Sequence, residues 1–318
     1  MVCPSGSPVT AVSPIYGPVH SRRLGLSLGV DLVPYKICPF DCIYCQLGRT
    51  TEKTLRRADY IPAERVLDDL KRYLEKFPEP DFITLSGSGE PTLHSGIGEI
   101  ITGIRAITPL PVAILTNGAL LGDEDVRGKC RLADVVVPSL DAGDEKEYAR
   151  VNRPVQGLTL RSLVDGLVGF REGFSGEIWL EVLLVRGVTD NEATVEKIAH
   201  HASEIRPDRV HLNTAVRPTA DDSVFPVSFQ ELQRFAGFFN PKAQIAFDPP
   251  PEKERPGIPE GKLVETLRRR PCTVEEIGAI LQISPVEVTK MVDGMVREDR
   301  LRVIRREGAI HYTIGPEK

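Results

Sequence analysis

Cys38-Pro-Phe-Asp-Cys42-Ile-Tyr-Cys45 places three cysteines within eight residues, shortly after the predicted strand Leu26–Val33. Thiolates are soft ligands that favour zinc or an iron–sulfur cluster. A structural zinc would need a fourth ligand nearby, yet the next cysteine along the chain is Cys130. Three cysteines from one loop leave one metal position open, which favours a cluster in which one iron keeps an open coordination position. A zinc site and reduced structural cysteines are the alternatives.

The composition of the 318-residue chain indicates a globular protein with room for more than one domain. Hydrophobic residues make up 41% of it, enough to bury a sizeable core. The formal net charge of −5 offers no broad attraction to nucleic acid or anionic lipid. No apolar run approaches the roughly 20 residues that span a bilayer, and residues 1–10 lack a signal-peptide pattern. We therefore expect a cytoplasmic protein with reduced cysteines and no membrane partner.

Short apolar runs alternate with helical patterns over about the first 250 residues. This alternation predicts parallel βα units, which can form an open doubly wound sheet or a complete or partial barrel. The predicted strands are Leu26–Val33, Phe82–Ser86, Val112–Thr116, Val135–Leu140, Ile178–Val185, Val210–Asn213 and Gln244–Phe247. The predicted helices are Pro62–Lys76, Ile97–Ile107, Glu145–Val151, Leu158–Gly169, Asn191–Ile205 and Ser228–Phe238.

The stretch Asp248–Gly261 is rich in proline, glycine and charge, which is typical of a linker. We predict a catalytic domain at 1–250, a linker at 251–260 and a small domain at 261–318. The order of elements in the small domain, three helices and then two strands, is that of a winged helix-turn-helix. The helices are Lys262–Arg270, Thr273–Gln282 and Ser284–Glu298, and the strands are Leu301–Arg305 and Ala309–Ile314.

The cysteine spacing C-x₃-C-x₂-C, with Tyr44 before the last cysteine, resembles the signature of the radical S-adenosylmethionine superfamily. This resemblance implies that a [4Fe–4S] cluster on Cys38, Cys42 and Cys45 is chelated by the methionyl amine and carboxylate of S-adenosylmethionine. It further implies an electron donor such as flavodoxin or ferredoxin, reductive cleavage to a 5′-deoxyadenosyl radical, and hydrogen abstraction from a substrate. On the basis of this resemblance we predict an α/β fold built as a partial (β/α)6 TIM-type barrel.

Two short segments match further family positions. Ser88-Gly89-Glu90 stands where the family has a Gly-Gly-Glu segment that binds the methionyl amine, so Gly89 and Glu90 become candidate cofactor contacts. The alternative is an ordinary glycine-rich turn in which the glutamate has no functional role. Tyr44 is similar to the aromatic residue of the family that packs near the adenine of the cofactor. The alternative is that Tyr44 is an ordinary aromatic residue of the core.

Polar residues at the ends of later predicted strands are further candidates for cofactor binding. Hydroxyl, amide and carboxylate groups there could meet the ribose hydroxyls or the methionyl group, and an arginine could meet a carboxylate. Asn213 could face the substrate instead, and turn formation or capping is the alternative role for Asn117, Ser139 and Asp141. The candidates are Asn117, Ser139, Asp141, Glu181, Arg186 and Asn213.

Four stretches resemble the branch of the superfamily related to tRNA wyosine synthases, which build a tricyclic base on guanine. They are Tyr16–Gly25, Cys42–Gly48, Gly87–Thr92 and Ser139–Gly143. Archaeal wyosine synthases carry extra N-terminal cysteines for a second cluster, whereas only Cys3 precedes Cys38 here. A single cluster is therefore expected, with tRNA modification as the first hypothesis for the substrate.

Two other functions stay open: a protein-modifying enzyme such as a glycyl-radical activase, and a cluster-gated DNA-binding regulator. The small domain could recruit RNA or dock a protein. A dedicated DNA reader usually has a strongly basic recognition helix, but Lys290 and Arg297 are the only basic residues in Ser284–Glu298. Eleven basic and ten acidic residues between 260 and 318 give the small domain almost no net charge.

Overall fold

The computed structural model describes residues 13–21, 23–77, 79–216, 218–246, 260–281, 283–306 and 309–314. The strands are β1 (Ile15–Ser21), β2 (Gly25–Val30), β3 (Ile37–Cys38), β4 (Glu52–Lys53), β5 (Phe82–Leu85), β6 (Val112–Thr116), β7 (Val135–Pro138), β8 (Glu177–Leu184), β9 (Arg209–Thr214), β10 (Gln244–Ile245), β11 (Cys272–Thr273), β12 (Leu301–Arg306) and β13 (Ala309–Ile314). The helices are α1 (Ala63–Leu74), α2 (Ile97–Ile107), α3 (Glu124–Cys130), α4 (Glu145–Val151), α5 (Leu160–Glu172), α6 (Glu192–Ile205), α7 (Phe229–Ala236), α8 (Glu260–Arg269), α9 (Val274–Leu281) and α10 (Pro285–Arg297).

A largely parallel sheet organises the described residues up to 246 into a mixed α/β fold. Its eight strands lie in the order β1-β2-β5-β6-β7-β8-β9-β10. The β1–β2 pair is antiparallel, and every other neighbouring pair is parallel. Helices connect successive parallel strands, as the alternating sequence pattern predicts. All carboxyl ends of the parallel strands therefore meet at one edge of the sheet.

Successive residues of the central strands face two environments, as the pleat of a strand requires. Leu28, Ile83 and Val136 are fully buried in the main core, which includes residues of the helices around the sheet. Their neighbours Ser27, Thr84 and Val137 point to the opposite face. That face holds a small apolar cluster, which consists of Leu24, Ala113, Val135, Val137 and Trp179.

Side-chain caps fix where several helices begin. Thr159 caps α5, and Ser228 and Ser284 cap α7 and α10; each forms a reciprocal capping box with the residue three positions later. Such caps satisfy backbone N–H groups that the first helical turn leaves without partners. The pattern Ser284-x-x-Glu287 therefore sets the start of α10 at Pro285.

The segment from Glu260 onward forms its own apolar core. Helices α8, α9 and α10 pack with a three-stranded sheet in the order β11-β13-β12, whose strands are all antiparallel. The fully buried side chains of Leu263, Leu267, Ile277 and Tyr312 lie at its centre. We call this segment the C-terminal module.

Most predicted elements are present with end shifts of one to three residues. All seven predicted strands of the first 250 residues form, although Phe247 at the end of the last lies outside the described residues. Residues 251–259 of the predicted linker also lie outside them, and Glu260 already begins α8. Across the described part of the chain, no helix has the length and apolarity to cross a bilayer.

Strand β1 and helix α3 were not predicted. Gly17 and Pro18 interrupt the apolar pattern of β1, and a bulge lies between Tyr16 and Val19. The strand is held by packing, because Tyr16 lies directly over Gly29, where a Cβ atom would be 2.0 Å from the aromatic ring. Helix α3 has only seven residues and is capped by Asp123.

Candidate functional site

A cavity of about 380 Å³ opens at the carboxyl edge of the parallel sheet. Strand ends and the loop that carries the three cysteines form its wall together. This is the edge at which parallel α/β folds place their ligands. The polar lining includes Tyr16, Arg23, Tyr44, Cys45, Ser86, Ser139, Asp141, Glu181, Asn213 and Lys290.

The cysteine loop is anchored to the loop that follows β5. The Lys36 N–H donates to the Ser88 carbonyl at 2.7 Å, and the Glu90 N–H donates to the Ile37 carbonyl at 3.1 Å. Between these two bonds lies Gly89, where a Cβ atom would come within 2.2 Å of the Ile37 carbonyl oxygen. The close approach of the two loops therefore requires glycine at position 89.

Each cysteine sulfur has a nitrogen donor from another side chain. The Lys36 ammonium lies 3.0 Å from the Cys45 sulfur. The Asn117 side-chain amide donates to Cys38 at 3.3 Å, and the Asn152 amide lies 3.5 Å from Cys42. Hydrogen bonds of this kind stabilise negative charge on sulfur and tune the potential of an iron–sulfur cluster.

Burial controls the protonation of the Cys38 and Cys42 thiols. It raises the pKa of Cys38 to about 12 and that of Cys42 well above its usual value. Burial lowers the pKa of Lys36, but the charges of Cys45 and Cys38 outweigh it and leave that pKa raised. The ammonium is thus held charged beside sulfurs that a bound metal would deprotonate.

The cysteine loop fits a polynuclear cluster. All three thiols are free of disulfides, and Cys45 lines the cavity. Among the described residues, no three His, Cys, Asp or Glu side chains converge on a point where a single metal ion could bind. A [4Fe–4S] cluster needs no such convergence, because each cysteine binds a different iron. Cys130 and Cys272 are buried in the main core and the C-terminal module respectively, away from this loop.

Glu90 is a buried anchor whose carboxylate does not line the cavity. One of its oxygens accepts hydrogen bonds from the Thr92 N–H at 3.1 Å and from the hydroxyls of Thr92 and Thr116, both at 2.6 Å. The other accepts from the Asn117 N–H at 2.7 Å. The adjacent Gly87 and Gly89 line the cavity instead. The loop therefore presents backbone to the cavity, while Glu90 holds the loop in place.

Asp141 and Tyr44 are brought together in the cavity wall. The Tyr44 hydroxyl donates to one Asp141 carboxylate oxygen, which also accepts from the Asn152 amide at 2.9 Å. The other oxygen accepts from the Leu183 N–H at 2.9 Å. Burial raises the pKa of Asp141 to about 6 against these hydrogen bonds. This carboxylate thus joins the cysteine loop to the ends of β7 and β8.

Glu181 and Asn213 lie next to each other on neighbouring strands, with the Asn213 amide donating to Glu181 at 2.9 Å. Arg23, which sequence reasoning left unassigned, forms an ion pair with the same carboxylate. Ser139 joins this group through a bridge between its backbone and that of Glu181. The strand-end polar residues thus form one connected lining.

Arg186 lies apart from the other candidates. Its side chain is 55% exposed, and its nearest acidic partner is Glu231 at 3.9 Å. It does not line the cavity, because the chain turns outward after β8 and its backbone N–H bonds to the Phe225 carbonyl. The other predicted residues divide into two groups. Those that line the cavity are Tyr44, Cys45, Gly89, Ser139, Asp141, Glu181 and Asn213, whereas Cys38, Cys42, Glu90 and Asn117 do not line it.

Besides Arg23, the sequence did not identify Lys36, Asn152 and Lys290 as residues near the cavity. Lys36 precedes the first cysteine by two positions, so its charge beside the motif was a usable signal. Asn152 and Lys290 carried no such signal, because they are 110 and 245 residues from Cys42 and Cys45 in the chain. Only folding brings them to the cavity.

Replacing Glu90 by glutamine tests its role as an anchor. The new amide group would face hydrogen-bond donors, so we expect the free energy of unfolding to fall by about 1–3 kcal/mol. Denaturant titration of the variant checks this, with the exposed Glu172→Gln as the matched control. A Glu90→Gln protein as stable as the wild type would rule out the anchoring role.

Comparisons with known proteins agree with this geometry. The model of the Radical SAM superfamily matches residues 32–198. The Synechocystis UPF0026 protein slr1464 is 37% identical over 210 residues, which cover 66% of this chain and 78% of that protein. A solved structure of TYW1 with a lysine-pyruvate adduct bound has the same fold, with a TM-score of 0.52 and 19% identity, over 68% of this chain and 74% of that one.

One relative is much longer than this chain. The Brachyspira hyodysenteriae protein named GTPase Obg is 33% identical over 306 residues, which are 95% of this chain but 45% of that protein. The present sequence contains no G-x-x-x-x-G-K-[ST] phosphate-binding loop. Because the superfamily match spans more than half of the chain, the protein belongs to the Radical SAM superfamily, whose members bind the [4Fe–4S] cluster and S-adenosylmethionine that the cysteine motif predicts.

Proposed function

We propose that this protein reductively cleaves S-adenosylmethionine at a [4Fe–4S] cluster on Cys38, Cys42 and Cys45 and abstracts hydrogen from a substrate in the same cavity. The observation that carries the proposal is the position of the cysteine loop in the wall of a cavity at the carboxyl edge of the sheet. When bound, these cofactors supply a 5′-deoxyadenosyl radical after one-electron reduction. Superfamily members receive that electron from donors such as flavodoxin.

The lining residues supply complementary partners for S-adenosylmethionine. Gly87 and Gly89 offer backbone to the methionyl group, and Tyr44 offers an aromatic face to adenine. Ser139, Glu181 and Asn213 offer hydroxyl, carboxylate and amide groups to ribose. These assignments rest on the shared cavity and on the matching chemistry of donors and acceptors.

For the architecture, we propose a partial (β/α)6 TIM-type barrel followed by a winged helix-turn-helix. Among the described residues, β1 and β10 stay at opposite edges of the sheet, which favours an open barrel. The order of elements in the C-terminal module supports the second part, because α10 precedes the β12–β13 hairpin. Two separate apolar cores support a division near the segment 251–260.

Reductive cleavage can be measured without knowing the substrate. Anaerobically reconstituted protein with S-adenosylmethionine and dithionite should release 5′-deoxyadenosine. A Cys38/Cys42/Cys45→Ala variant should release none, because the cluster loses every protein ligand that we assign to it. Cys130→Ala, which removes a thiol from the main core, is the control. Equal release by the triple variant would disprove the assignment of the ligands.

Replacing Lys36 by methionine should make the reduction potential of the cluster more negative. One-electron reduction adds negative charge, and the ammonium 3.0 Å from the Cys45 sulfur stabilises it. A redox titration followed by electron paramagnetic resonance measures the potential. Lys53→Met is the matched control, because Lys53 is exposed and lies in the strand that pairs with the cysteine strand. An unchanged potential in Lys36→Met would exclude this electrostatic role.

For the substrate class, we propose a nucleoside of tRNA, in line with the four stretches that resemble the wyosine branch. Transfer RNA from a strain lacking the gene should lack a modified nucleoside that the parent contains. Mass spectrometry of digested tRNA measures this, and complementation with the triple cysteine variant is the control. An unchanged nucleoside profile, together with hydrogen abstraction from a polypeptide, would favour a protein-modifying enzyme instead.

A DNA-reading role for α10 finds no support in the packing. Every residue from Ser284 to Val296 is buried or half-buried. A recognition helix must present an exposed face to the major groove. The packing therefore favours an enzyme over a cluster-gated DNA-binding regulator.

A further inference from the structure

Helix α10 of the C-terminal module forms part of the wall of the cavity. Val286 and Lys290 line the same cavity as Tyr44, Cys45 and Glu181. Positions four apart lie on the same face of a helix, so this face is directed at the strand ends. A helix that the sequence suggests for nucleic-acid recognition thus contributes side chains to the catalytic cavity.

Glu287 fixes that helix against the sheet. One of its carboxylate oxygens completes the capping box by accepting from the Ser284 N–H at 3.1 Å. The other accepts from the Gly17 N–H of strand β1 at 3.0 Å. The residue that starts the helix therefore also binds it to the sheet. This contact lies between Val286 and Lys290 in sequence, so it sets the position of both.

Two further contacts hold the module at the cavity. The Arg305 guanidinium pairs with Asp222 at 2.6 Å and donates to the Thr219 carbonyl at 3.4 Å, in the segment that follows β9. Tyr35, just before the cysteine loop, packs on the apolar core of the module, and its hydroxyl donates to the Leu47 carbonyl. The module thus contacts β1, the segment after β9 and the surroundings of the cysteine loop.

The lining of the cavity contains charged groups of both signs. Arg23 forms an ion pair with Glu181, and Asp141 accepts hydrogen bonds from Tyr44 and the Leu183 N–H. Lys290 is the cation that the C-terminal module adds to this cavity. A lysine ammonium is a compact charge with three donors, suited to phosphate and carboxylate oxygens.

We propose that Lys290 forms an anion-binding subsite that recognises a phosphate or carboxylate group of the substrate. The C-terminal module would then select the substrate from within the cavity. This inference rests on the proposed function, because it takes the cavity beside the cysteine loop as the place where the substrate binds. It adds the class of group that the substrate carries there.

Calorimetric titration of the full chain at low ionic strength tests the subsite, with inorganic pyrophosphate and pyruvate as the two probes. Pyrophosphate represents phosphate groups, and pyruvate represents carboxylates. The wild type should bind at least one probe, and Lys290→Gln should weaken that binding about tenfold or more, the loss expected for one charge-assisted hydrogen bond. Lys290→Arg, which keeps the charge, should bind more tightly than Lys290→Gln.

Arg302→Gln is the control, because Arg302 is an exposed cation on β12 of the same module and does not line the cavity. It should leave the affinity unchanged, whereas an equal loss in both variants would indicate nonspecific attraction and overturn the proposal. Failure of the wild type to bind either probe, or unchanged binding by Lys290→Gln, would also overturn it. The titration needs neither reductant nor S-adenosylmethionine, so its result is independent of 5′-deoxyadenosine release.

Discussion

The buried carboxylate of Glu90 is the interaction on which the arrangement of the cavity depends. It accepts hydrogen bonds from Thr92, Thr116 and Asn117, while its own N–H binds Ile37 in the cysteine strand. A buried carboxylate is costly unless such donors satisfy it, so burial raises its pKa while the hydrogen bonds oppose the shift. One residue thereby fixes three chain segments relative to one another, and Asn117 is held where its amide reaches the Cys38 sulfur.

Asp141 has the corresponding role on the other side of the cysteine loop. It binds the Tyr44 hydroxyl and the Asn152 amide, and that amide also lies near the Cys42 sulfur. The first and second cysteines therefore each lie beside an asparagine amide: Glu90 holds the backbone of Asn117, and Asp141 accepts from the Asn152 amide itself. The third cysteine has the Lys36 ammonium instead. The protein thus surrounds the sulfurs with fixed donors before any cofactor binds, so little reorganisation is required on binding.

Local patterns in the sequence predict what depends on local chemistry. The cluster site and the parallel strands could be predicted from the sequence. Thiolate ligands require the close spacing of Cys38, Cys42 and Cys45, and burial on both faces of a strand requires a continuous apolar run. Strand β1 could not be predicted from the sequence, because its position depends on the packing of Tyr16 over Gly29. The roles of Glu90 and Asn117 could be predicted only in part. The sequence indicated that both lie near the cysteine loop, but not which of their atoms would face the cavity. That outcome is decided by hydrogen bonds formed only in the folded chain.

The packing of α10 shows why a motif that suggests one function can serve another. Three helices and a hairpin can present a recognition helix outward. Here the second carboxylate oxygen of Glu287 accepts a hydrogen bond from the Gly17 N–H, which holds the helix against the sheet. With residues 284–296 at most half-exposed, the surface that would read a groove is instead used for packing. A cation on that surface then acts inside the cavity, where lower solvent exposure makes its charge more effective than on an open face. The near-neutral charge of the module agrees with this arrangement, because one cation in the wall of a cavity can act without a broad positive field around it.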